Sequence, residues 1–130
     1  LFHLFANMFT LYFFGNYVLR LVGVRKFIIL YLAGGILGGA FFVLLSPYSL
    51  AIGASGAVFA LGGALAILVP NSRVIIFPLP VPMPLWIAVI GGFIILSFMS
   101  GVAWQAHLGG LLTGLVAGLI FKRSSRYFYF

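Results

Sequence analysis

The sequence predicts an all-α integral membrane protein, a polytopic helical bundle, from its composition and from the spacing of its apolar residues. Apolar residues make up 65% of the 130 residues and charged residues only 5%, whereas soluble domains are about half apolar and a quarter charged. The apolar residues form uncharged runs of roughly 15 to 20 residues, without the alternation over about 10 residues that marks barrel strands. Because lipid offers no hydrogen bonds, each run is expected to be helical. The length predicts a single membrane domain over residues 1–130.

Five spans are expected, and glycine, proline or basic residues end most of them. Gly23 lies among basic residues after the first run, Pro47 follows the second and Pro70 follows the third, and each is a helix-stop signal. The expected spans are 1–22, 27–45, 55–69, 85–100 and 105–121. Between the third and fourth spans, residues 74–84 carry prolines at four alternate positions, which predicts a stiff, extended connector.

The basic residues predict the orientation of the spans. All seven lie in segments 20–26 and 70–84 or after residue 121, and with five alternating spans these segments share one side of the membrane. The positive-inside rule makes that side cytoplasmic and directs the first, third and fifth spans inward. Such short clusters suit topology signals and anionic headgroups better than nucleic acid, so the bilayer is the expected partner.

The residue types that are missing exclude several kinds of active site. The chain has no Asp, Glu or Cys, so it cannot form within itself a Ser-His-Asp triad, a carboxylate dyad, a carboxylate-containing metal site or a thiol nucleophile. Metal binding by His3 and His107 is also disfavoured, because no further strong ligand accompanies them. No cofactor is expected.

Ser55 and His107 are the candidate catalytic residues. Each lies near the predicted outer end of its span, Ser55 in the third and His107 in the fifth. A serine hydroxyl becomes a nucleophile when a base removes its proton, and a helix N-terminus favours a developing oxyanion. The alternative for Ser55 is a small residue at a helix contact. An ionisable residue such as His107 inside a membrane span indicates function by default.

His3 and Asn7 are candidate oxyanion donors on the first span. They are four residues apart, so they share one helix face, and both side chains can donate hydrogen bonds toward one point. The alternative is hydrogen bonding between helices that only holds the bundle together.

Small residues predict which spans pack closely. They recur every four residues on the third and fifth spans, a pattern that lets helix backbones approach; the residues are Gly56, Ala60 and Ala64, and Gly110, Gly114 and Gly118. If these faces meet, Ser55 and His107 lie at the same end of one crossing. Gly34, Gly35, Gly38 and Gly39 predict a similar face on the second span. From Ser55 to Val69 a helix spans about 22 Å, less than the roughly 30 Å of hydrocarbon, so Ser55 is expected below the outer surface.

Three motifs, in this order, resemble those of the rhomboid intramembrane serine proteases. They are His3-x-x-x-Asn7, Gly53-Ala54-Ser55-Gly56 and Ala106-His107-Leu108-Gly109-Gly110, and Gly15, Gly23 and Gly114 agree with them. The resemblance implies a six-helix core of which this chain carries five spans and lacks the first helix. It further implies a prokaryotic-type protein of the cell membrane with its active site toward the outer side.

The resemblance also implies the roles of the candidate residues. Ser55 would be the nucleophile, His107 the general base, and the Ser55 N–H with His3 and Asn7 the oxyanion site. The substrates would be single-span membrane proteins that reach the site laterally past the span over residues 85–100. Phe59 stands where the family often has a ring packed against the histidine. Leu19 replaces the family's usual Glu, a departure that concerns stability more than chemistry.

Two other functions remain possible at this point. An inactive rhomboid-like protein would bind membrane clients without cutting them, although such relatives typically lose the serine or the histidine, and this chain keeps both Ser55 and His107. A fragment of a transporter or channel would show inverted repeats and polar groups near the midplane, and the sequence shows neither.

Overall fold

A computed structural model describes residues 2–45, 55–75, 81–97 and 104–124, and within these ranges the chain forms five helices and a short β-ladder. The helices agree closely with the five predicted spans, and residues 98–100 of the expected fourth span lie outside the described ranges. The helices are α1 (Phe2–Val22), α2 (Val24–Leu45), α3 (Ser55–Leu68), α4 (Leu85–Ser97) and α5 (Trp104–Ser124).

Gly23 joins α1 to α2 as a single-residue connection. Its φ of 88° lies in the left-handed region, which glycine adopts without steric cost. Its N–H donates a hydrogen bond to the Leu19 carbonyl at 2.9 Å, and its own carbonyl accepts one from Phe27 at 3.1 Å. The same glycine therefore ends α1 and begins α2, which is why α2 starts at Val24 rather than at the predicted Phe27.

Helix α3 is the centre of the bundle, and the other four helices contact it. After Ser55 its residues are all apolar, and Ala60, Leu61, Ala64 and Leu65 are fully buried, as expected for a helix with no solvent-facing stripe. The surrounding helices carry large exposed apolar side chains, such as Leu44 at 78%. Among the described helices, Val24–Leu45 and Trp104–Arg123 are long and apolar enough to span a membrane.

The predicted small-residue crossing between α3 and α5 is confirmed. A Cβ atom placed on Gly110 or on Gly114 would collide with the carbonyl oxygen of Gly56 or of Ala60, and one on Gly118 would lie 3.0 Å from that of Ala64. The two backbones therefore touch over three successive turns. Gly63 also belongs to this contact, since a Cβ there would lie 2.7 Å from the Leu111 carbonyl oxygen.

The glycine face predicted for α2 is correct for three of its four residues, since a Cβ on Gly35 would also lie 3.7 Å from the Ala57 Cβ atom of α3. Gly34 and Gly38 are buried against α3 and α5, and a Cβ on Gly38 would lie 2.8 Å from the Ala106 carbonyl oxygen. A Cβ on Gly39, in contrast, would have no other protein atom within 4 Å among the described residues. Residues one position apart are rotated by about 100° around a helix, so Gly39 turns away from the face that Gly34 and Gly38 share.

The segment between α3 and α4 differs from the extended connector that the prolines predict. Arg73–Val74 pairs antiparallel with Met83–Pro84 as strands β1 and β2, and residues 76–80 lie outside the described ranges. Two backbone hydrogen bonds bring the ends together: the Leu85 N–H donates to the Ser72 carbonyl at 2.8 Å, and the Trp86 N–H donates to that of Pro70 at 3.2 Å. These contacts between residues distant in sequence fold the segment back on itself.

The described basic residues gather at the end of the bundle opposite Ser55. The Lys122 ammonium donates to the Ile67 carbonyl at the end of α3, at 3.3 Å. The Lys26 ammonium at the start of α2 lies 5.4 Å from the centre of the Phe121 ring. The expected grouping at one end is thus confirmed for the described residues. The compartment that this end faces stays a prediction.

Candidate active site

The closest backbone crossing of the bundle brings the positions of Ser55 and His107 together. Helix α3 begins at Ser55, and a Cβ on the next residue, Gly56, would lie 3.2 Å from the carbonyl oxygen of Ala106, the residue before His107. Each candidate residue is therefore one position away from a backbone contact between α3 and α5. The side chain of Ser55 lies outside the described part of the structure.

His107 is buried on α5 with an aromatic wall beside it. The residue is 3% exposed, and the centroid of its imidazole lies 4.5 Å from that of the Phe59 ring, with 33° between the ring planes. Phe59 stands one turn along α3 from Ser55 and packs against the histidine, as the resemblance implies. This close, tilted contact restricts rotation of the imidazole and covers part of one of its faces.

A second ring, which the sequence did not single out, completes this arrangement. Phe93 of α4 meets Phe59 edge to face, with 5.9 Å between the centroids and 86° between the planes. Both rings are half-buried. Three rings from α4, α3 and α5 therefore form a row that ends at His107. No periodic pattern in the sequence pairs residues 59 and 93, so the contact is visible only in the fold.

The predicted oxyanion donors lie on α1. His3 falls within this helix, but its side chain lies outside the described part of the structure. Asn7 follows one turn later on the same face and is half-buried. The oxyanion roles of both residues stay predictions.

The start of α3 is recessed relative to α2. Gly38 of α2 lies level with Gly56, since a Cβ on Gly38 would be 3.3 Å from the Gly56 Cα atom. Helix α2 then continues to Leu45, seven residues or about 10 Å farther. Ser55 therefore lies about 10 Å inside the end of the neighbouring helix.

Helices α1 and α4 approach each other over Gly62 of α3. A Cβ on Gly62 would lie 3.4 Å both from the Phe14 ring of α1 and from a methyl group of Val89 of α4. Gly62 lies about two turns along α3 from Ser55, toward the basic end. Phe14 and Val89 thus flank Gly62 below the candidate site, one from α1 and one from α4.

The arrangement suits chemistry by a serine and a histidine alone. With no Asp or Glu in the chain, no carboxylate of its own can orient the imidazole, and in the described structure the Phe59 ring borders it instead. A neutral histidine held in this way can accept a proton from a neighbouring hydroxyl.

Comparison with known proteins gives a family match over nearly the whole chain. The family model described as "Rhomboid domain" matches residues 1–124. The chain is 30% identical to Rhomboid protein 1, mitochondrial, of Saccharomyces cerevisiae, over 89% of this chain and 37% of that protein. It is 34% identical to Rhomboid protease GluP of Bacillus subtilis, over 88% and 22% of the two chains. It is 36% identical to RHOMBOID-like protein 4 of Arabidopsis thaliana, over 91% of this chain and 30% of that protein.

The three relatives are much longer than this chain, and they come from different kinds of organism. The chain spans between about a fifth and two-fifths of the length of the three relatives. They come from a yeast, a bacterium and a plant, and two are not bacterial, so the matches do not support the expected prokaryotic origin. No solved structure matches the chain significantly.

Proposed function

The chain belongs to the rhomboid family and is an integral membrane protein, and we propose that it is an intramembrane serine endopeptidase that hydrolyses single-span membrane proteins with a Ser55–His107 dyad. The observation that carries this proposal is the buried imidazole of His107, packed on Phe59 at the crossing where α3 begins with Ser55. One relative, from Bacillus subtilis, is named a rhomboid protease.

The proposed reaction is acyl transfer in two steps. The Ser55 oxygen attacks the scissile carbonyl while neutral His107 takes the proton from the Ser55 hydroxyl. His107 then gives that proton to the leaving amine. Water next attacks the acyl-serine, with His107 again as base, and releases the carboxylic acid and free Ser55. The Ser55 N–H at the head of α3 and the side chains of His3 and Asn7 would donate hydrogen bonds to the oxyanion of each tetrahedral intermediate.

We further propose a direction of access for the substrate. A single-span substrate would arrive laterally between α1 and α4, above the level where Phe14 and Val89 flank Gly62. Helix α4 would be the movable side of this opening. The basic end of the bundle would face the cytoplasm, and Ser55 would lie toward the opposite surface.

The test compares cleavage of a single-span substrate by the purified full-length protein and by variants, in liposomes. Ser55→Ala and His107→Ala should each lower cleavage about a thousandfold or more, because the members of a catalytic pair act as a unit. Ser72→Ala, which changes a serine at the opposite end of the bundle, should retain cleavage. Substantial cleavage by either dyad variant would contradict the mechanism.

The second candidate is an inactive rhomboid-like protein that binds membrane clients. The retention of both Ser55 and His107 favours the protease. The two candidates differ in what a folded wild-type protein does to a bound span. Co-purification of an intact client, without cleavage by the wild type across several substrates, would favour the binding function.

A further inference from the structure

The row of rings formed by Phe93, Phe59 and His107 links α4 to the proposed base. We propose that Phe93 is a positioning residue for His107: its edge holds the Phe59 ring against the imidazole, so that the orientation of the base depends on the position of α4. The inference rests on the proposed function, because it takes His107 to be the base.

The contact geometry supports this role. The Phe59 ring lies against the imidazole at a tilt of 33°, with centroids 4.5 Å apart, and the edge of Phe93 meets the same ring at 86°. Offset-stacked and edge-to-face arrangements are the two that aromatic pairs prefer. The Phe59 ring is thus held between His107 of α5 and Phe93 of α4. If Phe93 moves away, the Phe59 ring can rotate, and the imidazole loses its support.

Phe93 is also the principal link between this part of α4 and the site. A Cβ on Gly91 or Gly92 would have no other atom within 4 Å among the described residues, and the following residues, Ile94, Ile95 and Leu96, are exposed. Within residues 91–96, Phe93 is the one side chain that packs against the buried core. A movement of the outer half of α4 is therefore expected to act on the site chiefly through this ring.

The consequence for catalysis is a coupling between access and chemistry. A base that rotates freely spends less time aimed at the hydroxyl it must deprotonate, which lowers the rate of the chemical step more than it weakens substrate binding. Movement of α4 away from α3 would release Phe59 and loosen His107. Return of α4, with the Phe93 edge restored, would set the imidazole for reaction.

The first measurement is the kinetics of the full-length protein in liposomes. Phe93→Ala should lower kcat about two- to tenfold with little change in KM, the range that one aromatic contact supports. Phe93→Tyr, which keeps the ring, should restore kcat. Ile94→Ala, on the adjacent lipid-facing position, is the matched control and should leave both constants unchanged. A change in KM alone, or a failure of Phe93→Tyr to restore kcat, would overturn the proposal.

The second measurement reports the imidazole directly and needs no turnover. NMR of protein labelled at histidine detects the imidazole signals, and His107→Gln identifies those that belong to His107. The His107 signals should shift in Phe93→Ala, because the ring current of Phe59 changes, and should return in Phe93→Tyr. Unchanged His107 signals in Phe93→Ala would overturn the coupling. A wild type that cuts nothing would instead refute the proposed function, while the NMR comparison still decides whether the rings are coupled.

Discussion

Helix α3 meets α5 and α4 in two different ways. Against α5 the contact is between backbones, since Gly114 leaves no room for a Cβ beside the Ala60 carbonyl. Against α4 the contact runs through side chains, with Val89 over Gly62 and the Phe93 edge on Phe59. A contact between backbones has one geometry, whereas side chains can change rotamer and still pack.

The difference separates two requirements of the proposed enzyme. Catalytic groups have to be held within about 0.5 Å of their productive geometry, and in the proposed enzyme the crossing of α3 and α5 would hold the positions of Ser55 and His107. A substrate span would also have to reach the site from the lipid, and the side-chain contact with α4 would be the one to open. We call the contact with α5 the fixed side of the central helix and the contact with α4 its adjustable side.

The largest expected effect comes from locking the adjustable side. These 130 residues contain no cysteine, so Phe14→Cys with Val89→Cys, in a protein whose other cysteines outside them are replaced by serine, places one thiol on α1 and one on α4 beside Gly62. A short reducible cross-linker should abolish cleavage of a membrane-embedded substrate by the double variant, and reduction should restore it. The two single-cysteine variants, treated in the same way, serve as controls. Full activity in the linked protein would show that α4 need not separate from α1.

A smaller effect, on stability, should come from disturbing the fixed side. Gly114→Ala introduces a methyl group against the Ala60 carbonyl and should lower the free energy of unfolding by about 1–3 kcal/mol, or more if the helices cannot shift. A Cβ on Gly92 of α4 would have no other atom within 4 Å in the described part of the chain. Gly92→Ala should therefore raise the free energy of unfolding by about 0.5–1 kcal/mol, because alanine has the higher helix propensity. Unfolding in detergent titrations measures both. Equal effects of the two substitutions would remove the distinction between the two sides.

The smallest effect on cleavage is expected from the hydrogen bonds at Ser72, which hold the first residue of α4 in place. The Tyr17 hydroxyl lies 2.9 Å from the Ser72 hydroxyl, and the Ser72 carbonyl accepts the hydrogen bond of Leu85 at the start of α4. Tyr17→Phe should cost about 0.5–1.5 kcal/mol of unfolding free energy and leave cleavage nearly unchanged. Tyr12→Phe, at an exposed position on the same helix, should change neither the free energy of unfolding nor cleavage. A large loss of cleavage in Tyr17→Phe would show that this fastening is needed for activity and not only for stability.

Helix positions were predictable from the sequence because their signals are local. Uncharged runs and stop residues such as Gly23 and Pro70 fixed most helix ends to within three residues, and spacing by four identified the crossing of α3 and α5. The resemblance placed Phe59 beside His107, and the structure agrees.

The remaining features depend on contacts between distant residues, which leave no periodic signal. The pairing of Arg73 with Pro84 requires the hydrogen bonds at Ser72 and Leu85, and prolines alone suggested an extended chain. Which face of α2 points toward α3 and α5 depends on how the helix is rotated about its axis, and in the structure Gly38 contacts these helices and Gly39 does not. The partner of Phe59 on α4 was invisible for the same reason.

The recessed start of α3 has a consequence for which peptide bonds can be cut. With Ser55 about 10 Å inside the end of α2, the proposed enzyme would attack a peptide bond at a depth where a substrate helix keeps its backbone carbonyls hydrogen-bonded within itself. The substrate must unwind locally and give up its own hydrogen bonds inside an apolar boundary, where each unsatisfied group is costly. Residues of low helix propensity reduce this cost, by about 1 kcal/mol for glycine relative to alanine. The depth of one serine would thus act as a filter on substrate helix stability, independent of any side-chain pocket.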